Sequence, residues 1–365
     1  MKVVVAKGEP RERGRVIGRE LADEIHRSLA FYQRYFERRG FDRARLEETL
    51  RPFVAVAEDV LPHEVEAIRG TAEGADVPFL DLFVPNAFEE LDPLMPEPAD
   101  AAAPAAIERC TAFSVVAPGV TLLGHDEQWL AGDAGCSAVV VEIPSDPDGV
   151  AIVSPTVATW RPAVGMSSTG GAQAVMSLTA SDDGVGVPRV LVSRHALEAS
   201  GREDALRRTS VAPRSGGYAY GYAFRGGDAL TVETTATRAA ILDGPGGHTN
   251  HYLDPNLATI GDAPSAGSEG RLERLRALLD HHRPDTPEAV MAILGDHGDG
   301  TQRICLHGDA SEESDAVLFS MVCDLETPRM WVSLGNPCTA PFEEVDLADV
   351  LRARGQSRLG RQPIA

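Results

Sequence analysis

Hydrophobic positions in the first ninety residues recur at helical spacing. Two stretches, at about residues 14–35 and 59–68, place apolar side chains on one face of a helix. We therefore expect a helical N-terminal segment. In the first stretch the repeating positions are Ile17, Leu21, Ile25 and Leu29.

The pattern changes at a proline-rich stretch. Pro93–Ala106 holds four prolines and six alanines, so it cannot form a regular helix or strand throughout and is expected to be an exposed linker. Strand-like runs then follow at Thr111–Ala117 and Val120–Gly124, joined by a turn at Pro118-Gly119. Cys110 therefore lies where the linker ends and a sheet begins.

Strands and helices are segregated in blocks over the rest of the chain, which predicts an α+β or layered α/β fold with antiparallel sheets. Helices are expected at Arg189–Ser200, Ser268–His281 and from Pro287 to Gly295. Further strands are expected at Ser137–Ile143, Ala151–Ser154, Tyr218–Phe224, Ala229–Glu233, Ala316–Val322 and Met330–Ser333.

Charge and composition exclude several classes of function. Acidic residues outnumber basic ones by 55 to 34, the formal net charge is −21, and no cluster of lysines or arginines forms a phosphate-binding face, so we expect no nucleic-acid partner. The chain has no signal-like h-region at its start and no 18-residue apolar run, so we expect a soluble cytoplasmic protein without a membrane partner. Five cysteines at scattered spacings make a disulfide framework improbable.

Cys110 has the local setting of a self-cleaving nucleophile. Its thiol can attack the carbonyl of Arg109 and form a thioester, which water then cleaves. Cleavage would divide the chain into residues 1–109 and 110–365 and release the α-amine of Cys110. This amine, with a reference pKa of about 7.7–8.0, can act as general base to its own thiol.

Several short segments, taken in order, resemble the acyl-coenzyme A:6-aminopenicillanic acid acyltransferase family, the C45 peptidases. The similarity extends over essentially the whole chain. It implies the four-layer αββα sandwich of N-terminal-nucleophile hydrolases, in which two antiparallel sheets are flanked by helices. The segments are Glu108–Thr111, GHDEQW at 124–129, GVPR at 186–189, HTNHYL at 248–253, Ser268-x-x-Arg271-x-x-Arg274, Ile304-Cys305-x-His307 and WVSLGNPC at 331–338.

The resemblance also implies roles for individual residues. Cys110 would be the nucleophile freed by cleavage after Arg109, leaving a heterodimer of the two fragments. Asn250 would orient the substrate or stabilise the oxyanion through its side-chain amide, and Arg271 would be a buried arginine that maintains the geometry of the site. The substrate-binding residues implied are Thr111, His125, Gln128, Met176 and His248.

The chain departs from the family at two positions. Neutral Gln128 occupies the place of an aspartate that would pair with the arginine, and Asp126 is the candidate to supply this carboxylate. Met176 replaces an asparagine of the oxyanion hole, and a methionine side chain cannot donate a hydrogen bond. A lost donor of this kind costs roughly 100-fold or more in rate.

Rival chemistries have weaker support. Histidines and Cys305 could in principle bind a metal, but no motif organises them, so we expect no metal and no cofactor. The segment Gly165–Gly170 is rich in serine but misses the G-x-S-x-G elbow by one residue, and no phosphate-binding loop is present. The candidate metal ligands are His248, His251, His281, His282, His297, Cys305 and His307.

The sequence therefore predicts an autoprocessed amide hydrolase or acyltransferase that acts on a small amide or acyl donor through a Cys110 thioester. Whether water or an amine accepts the acyl group depends on how well water is excluded. The acidic composition mildly disfavours a strongly anionic substrate such as coenzyme A. The alternative is a catalytically altered or inactive family member that serves as a ligand-binding or interaction module, as the changes at Gln128 and Met176 suggest.

Overall fold

The structure, a computed structural model, describes residues 1–96 and 109–347. Its helices are α1 (Pro10–Glu20), α2 (Ala22–Arg38), α3 (Arg43–Val60), α4 (Pro62–Ala75), α5 (Phe79–Asn86), α6 (Phe88–Leu91), α7 (Arg189–Ala196), α8 (Arg202–Thr209), α9 (Ala266–His282) and α10 (Pro287–Leu294). Its strands are β1 (Val3–Gly8), β2 (Thr111–Ala117), β3 (Val120–Leu130), β4 (Ser137–Pro144), β5 (Ile152–Val157), β6 (Gly165–Ser167), β7 (Gly171–Leu178), β8 (Gly217–Phe224), β9 (Asp228–Thr234), β10 (Ala239–Asp243), β11 (Gly247–His248), β12 (Asp315–Asp324), β13 (Arg329–Leu334) and β14 (Glu343–Val345).

The strands form two sheets. One sheet has eight strands in the order β1-β4-β5-β6-β7-β8-β9-β10, and the other has six in the order β11-β2-β3-β12-β13-β14. Neighbouring strands are antiparallel except β1 and β4, which run parallel. The predicted α+β class with antiparallel sheets is confirmed, with this one parallel pair added.

Helices cover the outer faces of both sheets. On the six-stranded sheet, Phe113 and Leu122 pack with Leu275 of α9 and Val290 of α10, and on the other sheet α1, α7 and α8 contact the strands. Strands β2 and β3 contact β7 and β8 across the middle of the molecule. The resulting layers are helix, sheet, sheet and helix, as the resemblance implies.

The N-terminal segment differs from the sequence prediction in two respects. It opens with strand β1 rather than a helix, because the short valine run pairs edge to edge with β4 and buries only alternate residues, Val4 and Ala6. The two helical stretches are also divided, at Leu21 between α1 and α2 and at Leu61 between α3 and α4, where Pro62 starts the new helix.

The predicted linker lies mostly outside the described residues. Of Pro93–Ala106, residues 97–106 are not among them. The part that is described begins in a short 3-10 turn, Asp92–Leu94, directly after α6. On the far side of the gap the chain resumes at Arg109, and β2 begins at Thr111.

The strands that face the six-stranded sheet carry small side chains. In β7 and β8 the tyrosine-bearing face points to the helices, as the Tyr222 hydroxyl donates to the carbonyl of Ala196 in α7. The opposite face then points inward because side chains alternate along a strand. Its residues are Met176 and the small Ala172, Ala174, Ala219, Gly221 and Ala223, and the small side chains let the two sheets approach each other closely.

Candidate active site

The hairpin of β2 and β3 determines which side chains surround Cys110. Its two-residue turn pairs Ala117 with Val120, and the register continues without interruption to Thr111 opposite Asp126. One step further along, Cys110 comes opposite Glu127. The Cys110 thiol donates to Oε1 of Glu127 over 3.2 Å and lies 3.8 Å from the carbonyl oxygen of Gln128.

The Cys110 thiol is protonated in the intact chain. Burial raises its pKa well above the usual range, and the negative charge of Glu127 raises it further. A thiolate is therefore not formed in advance. Any attack by the sulfur requires a base within reach, and the Glu127 carboxylate is in contact with the thiol.

Arg271 of α9 connects Cys110 to Asn250. Its guanidinium donates to the carbonyl oxygen of Cys110 at 2.8 Å, to Oγ1 of Thr111 at 3.0 Å and to Oδ1 of Asn250 at 3.0 Å. The Asn250 amide in turn donates to the carbonyl oxygen of Ser177 in β7 at 3.1 Å. Four distant parts of the chain are thus linked to one another beside Cys110, and the three bonds donated by Arg271 are charge-assisted.

Successive side chains of β3 point to opposite faces of the sheet. His125 and Glu127 share the face of Cys110, where one ring nitrogen of His125 is 3.2 Å from Oε2 of Glu127 and the other is 3.2 Å from the carbonyl oxygen of Thr111. Asp126 and Gln128 point toward the helices. The sequence had not singled out Glu127.

Asp126 lies on the helix-facing side of the sheet, where it accepts a hydrogen bond from the Ser320 hydroxyl at 2.5 Å. Burial raises its pKa well above the usual range, although the Ser320 hydrogen bond and the positive charge of Arg271 both oppose this rise. The raised pKa favours a neutral carboxyl group. The carboxylate that contacts the Cys110 thiol is that of Glu127.

Three other candidate residues have structural contacts. The Gln128 amide donates to the carbonyl oxygen of Ile304 at 2.7 Å, which ties β3 to the loop after α10. His248 is buried with one ring nitrogen 2.7 Å from Oε1 of Glu233. Met176 is fully buried on the inner face of β7, opposite Ala219.

Arg109, just before the candidate scissile bond, is held from both sides. Its guanidinium donates to Glu89 of α6 at 2.6 Å and lies over the ring of Trp129 at 4.3 Å. Glu89 also accepts hydrogen bonds from Ser177 and Tyr218 of the eight-stranded sheet. Burial alone would raise the pKa of the Glu89 carboxyl group. The positive charge of Arg109 outweighs that effect, together with other partners, and the pKa lies below its usual value.

A polar pocket of about 160 Å³ adjoins this cluster. Arg109 and Asn250 line it, together with Glu89 and Asp92 from the N-terminal segment and Arg189 from α7. Arg109 directly precedes Cys110 in the chain and Asn250 accepts a hydrogen bond from Arg271, so the pocket adjoins the residues that surround Cys110, and the Cys110 side chain itself does not line it. Its lining is charged rather than apolar.

The structure separates some of the residues considered for a serine nucleophile or a metal site and brings others together. Gly165–Gly170 forms β6 and the turn into β7, which is a strand–turn–strand segment and not the strand–turn–helix setting of a nucleophilic serine. His281 and His282 are exposed at the end of α9. His297, Cys305 and His307 do converge, and Cys338 joins them.

Glu127 could have been found from the sequence. In an antiparallel hairpin the numbers of two paired residues always add up to the same value. The two-residue turn at Pro118-Gly119 pairs Ala117 with Val120, so Cys110 lies opposite Glu127. The convergence of Arg271 and Asn250 could not be derived in this way, because it depends on how separate elements pack.

Comparisons with known proteins give one family and a set of distant structures. The model of the family "Acyl-coenzyme A:6-aminopenicillanic acid acyl-transferase" matches residues 141–339. No curated protein is significantly similar to the chain. Penicillin V acylase from Agrobacterium tumefaciens is 14% identical with a TM-score of 0.44, and the match covers 66% of this chain and 86% of that chain.

Two structures of conjugated bile acid hydrolase from Clostridium perfringens are similar to the same extent. A mutant is 12% identical with a TM-score of 0.44, covering 65% of this chain and 96% of that chain. A second variant is 13% identical with a TM-score of 0.45, covering 66% of this chain and 93% of that chain.

Within the described residues, no helix is both long and apolar enough to cross a membrane.

Proposed function

The chain belongs to the acyl-coenzyme A:6-aminopenicillanic acid acyl-transferase family, and we propose that it is an autoprocessed cysteine amide hydrolase or acyltransferase. Cys110 is the nucleophile in this proposal, first against its own peptide bond to Arg109 and then against a small amide or acyl donor. Both reactions pass through a thioester on the Cys110 sulfur.

One observation carries the proposal: Cys110, Glu127, Asn250 and Arg271 converge from separate parts of the chain. The thiol contacts a carboxylate at 3.2 Å, while Arg271 holds the Cys110 carbonyl oxygen at 2.8 Å and Asn250 at 3.0 Å. A buried cysteine that served only to fill the core would need none of these polar partners. This arrangement supports a nucleophile held in position with a base beside it.

The first step needs a base other than the Cys110 nitrogen, which is an amide in the intact chain. Glu127 takes the thiol proton as the sulfur bonds to the carbonyl carbon of Arg109. The carbon–nitrogen bond then breaks, and the Cys110 nitrogen receives a proton as it leaves as an amine. Water hydrolyses the thioester, leaving a carboxylate on Arg109 and a free thiol and amine on Cys110.

The second reaction uses the same sulfur with a different base. The released α-amine of Cys110 titrates near neutral pH and can accept the thiol proton. A bound amide then acylates the sulfur and loses its amine, and water or a second amine removes the acyl group. In this proposal Asn250 orients the substrate, and its contact with Arg271 at 3.0 Å supports that role.

The polar pocket near Cys110 supports a small polar substrate. In the intact chain Arg109 lines this pocket of about 160 Å³. Cleavage frees the new carboxyl end at Arg109 to move away, and a donor of a few heavy atoms around its scissile amide can then enter. Arg189 and Asn250 offer donors to a carbonyl or carboxylate there.

Intact mass measurement of the purified protein tests the proposal. The wild-type chain should yield fragments 1–109 and 110–365, and Cys110→Ala should remain whole. Glu127→Gln should slow cleavage roughly 100-fold or more because the general base is lost. Asp126→Asn should process at nearly the wild-type rate, since it replaces a neutral carboxyl group on the other face of β3.

Cys136→Ala serves as the control for removal of a buried thiol away from the site and should process normally. A wild-type chain that stays whole and does not react with thiol-directed acylating reagents would contradict the proposal. It would favour the non-catalytic binding module, which the methionine at position 176 also suggests. Equal slowing by Glu127→Gln and Asp126→Asn would remove Glu127 from the role of base.

A further inference from the structure

Four side chains with metal-binding atoms meet where two loops of the six-stranded sheet come together. The loop between α10 and β12 supplies His297, Cys305 and His307, and the loop between β13 and β14 supplies Cys338. We refer to these four residues as the Cys2His2 cluster. One ligand atom from each lies within 4.8 Å of those from the others.

The individual distances within the Cys2His2 cluster are short. The two sulfurs of Cys305 and Cys338 are 3.5 Å apart, and Nε2 of His297 and His307 are 3.1 Å apart. Nε2 of His307 is 3.1 Å from the Cys338 sulfur and 3.7 Å from the Cys305 sulfur. Four soft or borderline donor atoms thus lie close enough together to share one metal ion.

We propose that the Cys2His2 cluster binds one zinc ion. A tetrahedral zinc with bonds of about 2.3 Å to sulfur and about 2.0–2.1 Å to nitrogen separates its ligands by roughly 3.3–3.8 Å. Four of the six distances in the cluster run from 3.1 to 3.7 Å, and the two between His297 and the sulfurs are below 4.8 Å. Two thiolates and two imidazoles are a ligand set that zinc prefers, and carboxylates, which harder cations require, are absent from the set.

The backbone around the Cys2His2 cluster is fixed by contacts that do not involve a metal. The Asn336 amide donates to the carbonyl oxygen of Leu306 at 2.7 Å and thereby joins the two loops. The amide of Cys305 donates to the carbonyl oxygen of Asp296, and the amide of Val317 donates to that of Leu306. These bonds hold the ligand-bearing loops in place, which lowers the cost of ordering them when zinc binds.

The proposed zinc is structural rather than catalytic. Four protein ligands complete a tetrahedral shell and leave no position for a substrate or water. The loop that carries Cys305 contacts Gln128 through the carbonyl of Ile304, on the face of β3 opposite the Cys110 thiol. The metal would therefore fasten the loops behind the candidate active site and take no part in its chemistry.

A disulfide between Cys305 and Cys338 is the competing arrangement. Their sulfurs are 3.5 Å apart, well beyond the bond length of about 2.0 Å. A disulfide would also use both sulfur atoms, and it would not account for the two histidines that lie beside them. The two arrangements exclude each other, so one preparation can distinguish them.

Metal analysis of the full chain tests the proposal directly. Protein expressed with zinc and purified with a reductant is expected to retain one zinc ion per chain by elemental mass spectrometry. Removal with a strong chelator followed by titration with Co²⁺ should give the visible and thiolate-to-metal bands of a tetrahedral thiolate site. Cys338→Ser should lower zinc affinity at least about tenfold.

His297→Ala is the second variant, and His281→Ala is its matched control because both histidines are exposed. The first should lose affinity and the second should keep it. The Co²⁺ spectrum of the wild-type chain decides the matter even if a variant does not fold. A chain that contains no zinc and gives no thiolate band, or one that yields a Cys305–Cys338 disulfide, overturns the proposal.

Discussion

At the scale of single residues, Asp133 is a buried carboxyl group held among polar partners. It follows β3 in a 3-10 turn and accepts hydrogen bonds from the hydroxyls of Ser28 at 2.5 Å and Tyr32 at 2.7 Å, both on α2. Burial raises its pKa to about 7, and these two hydrogen bonds only partly oppose the rise. The group therefore changes charge near neutral pH.

This raised pKa makes stability depend on pH in a defined direction. Between about pH 4 and pH 7 the folded chain holds a proton on Asp133 that the unfolded chain has released, so the free energy of unfolding falls as pH rises. Three pKa units correspond to about 4 kcal/mol. Asp133→Asn cannot titrate, so its stability relative to wild type should rise by about that amount between pH 4 and pH 8.

Urea denaturation of both proteins at a series of pH values measures this effect. The quantity to compare is the difference in free energy of unfolding between the two proteins at each pH, because the contributions of all other titrating groups are the same in both and cancel. A constant difference across the range would mean that Asp133 is ionised in the folded chain even at acidic pH.

The sequence singled out Cys110 as the candidate nucleophile but did not reveal its surroundings. Cys110 stood out because a linker, a hydroxyl residue and a strand meet there, and these are local features. Glu127 needed the hairpin register to be applied, whereas the burial of Asp126 and the bonds of Gln128 depend on the layer of helices above the sheet. The pattern of residues along the sequence does not show which face of a strand packs against the helices and which faces the other sheet.

At the scale of elements, α9 carries two arginines one turn apart with different environments. Arg271 is fully buried and donates to three acceptors, while Arg274 is 34% exposed and pairs with Asp296 at 2.7 Å. A planar guanidinium can reach several acceptors at once, and a lysine ammonium cannot match that geometry. The same substitution should therefore have unequal effects.

In a Cys110→Ala background, which keeps the chain whole, Arg271→Lys should lower the free energy of unfolding by about 2–3 kcal/mol, because buried acceptors lose charged donors. Arg274→Lys should lower it by less than about 1 kcal/mol, as expected for a partly exposed ion pair. Chemical denaturation gives both values. Similar losses for the two variants would mean that Arg271 is not the link between α9 and the start of β2.

Elements with strong end signals were predicted well and isolated strands were not. Thr286 and Pro287 start α10 and Gly295 ends it, as expected, and the β2–β3 hairpin follows its turn. Strands β1 and β6 were missed because they are short and gain their stability from pairing with distant strands. No local pattern encodes such a partner.

At the scale of the whole molecule, the two sides of the candidate cleavage site are joined by many contacts. Strand β1 runs parallel to β4 over six residue pairs. Glu64 of α4 accepts a hydrogen bond from Arg161 at 2.8 Å, and Glu90 of α6 pairs with Arg189 at 3.3 Å, all with buried side chains. The N-terminal segment is thus part of the core rather than an appended arm.

Residues 1–109 and 110–365 should therefore stay together after cleavage. Size-exclusion chromatography of the processed protein is expected to show both fragments in one peak, at the volume of the whole Cys110→Ala chain. They should separate only in denaturant, because the shared sheet and the buried ion pairs must be broken. Separate peaks in native buffer would show that the N-terminal segment is a removable prosegment.

The alternation along β3 has a practical consequence for altering this protein. Odd positions from His125 to Trp129 reach the space between the sheets, whereas Asp126 and Gln128 face the helices, and Gln128 contacts the loop that carries Cys305. Whether a substituted position in this strand has an odd or an even number therefore determines which side of the sheet the substitution changes. An insertion of one residue in the strand would exchange the two sets and alter both sides together.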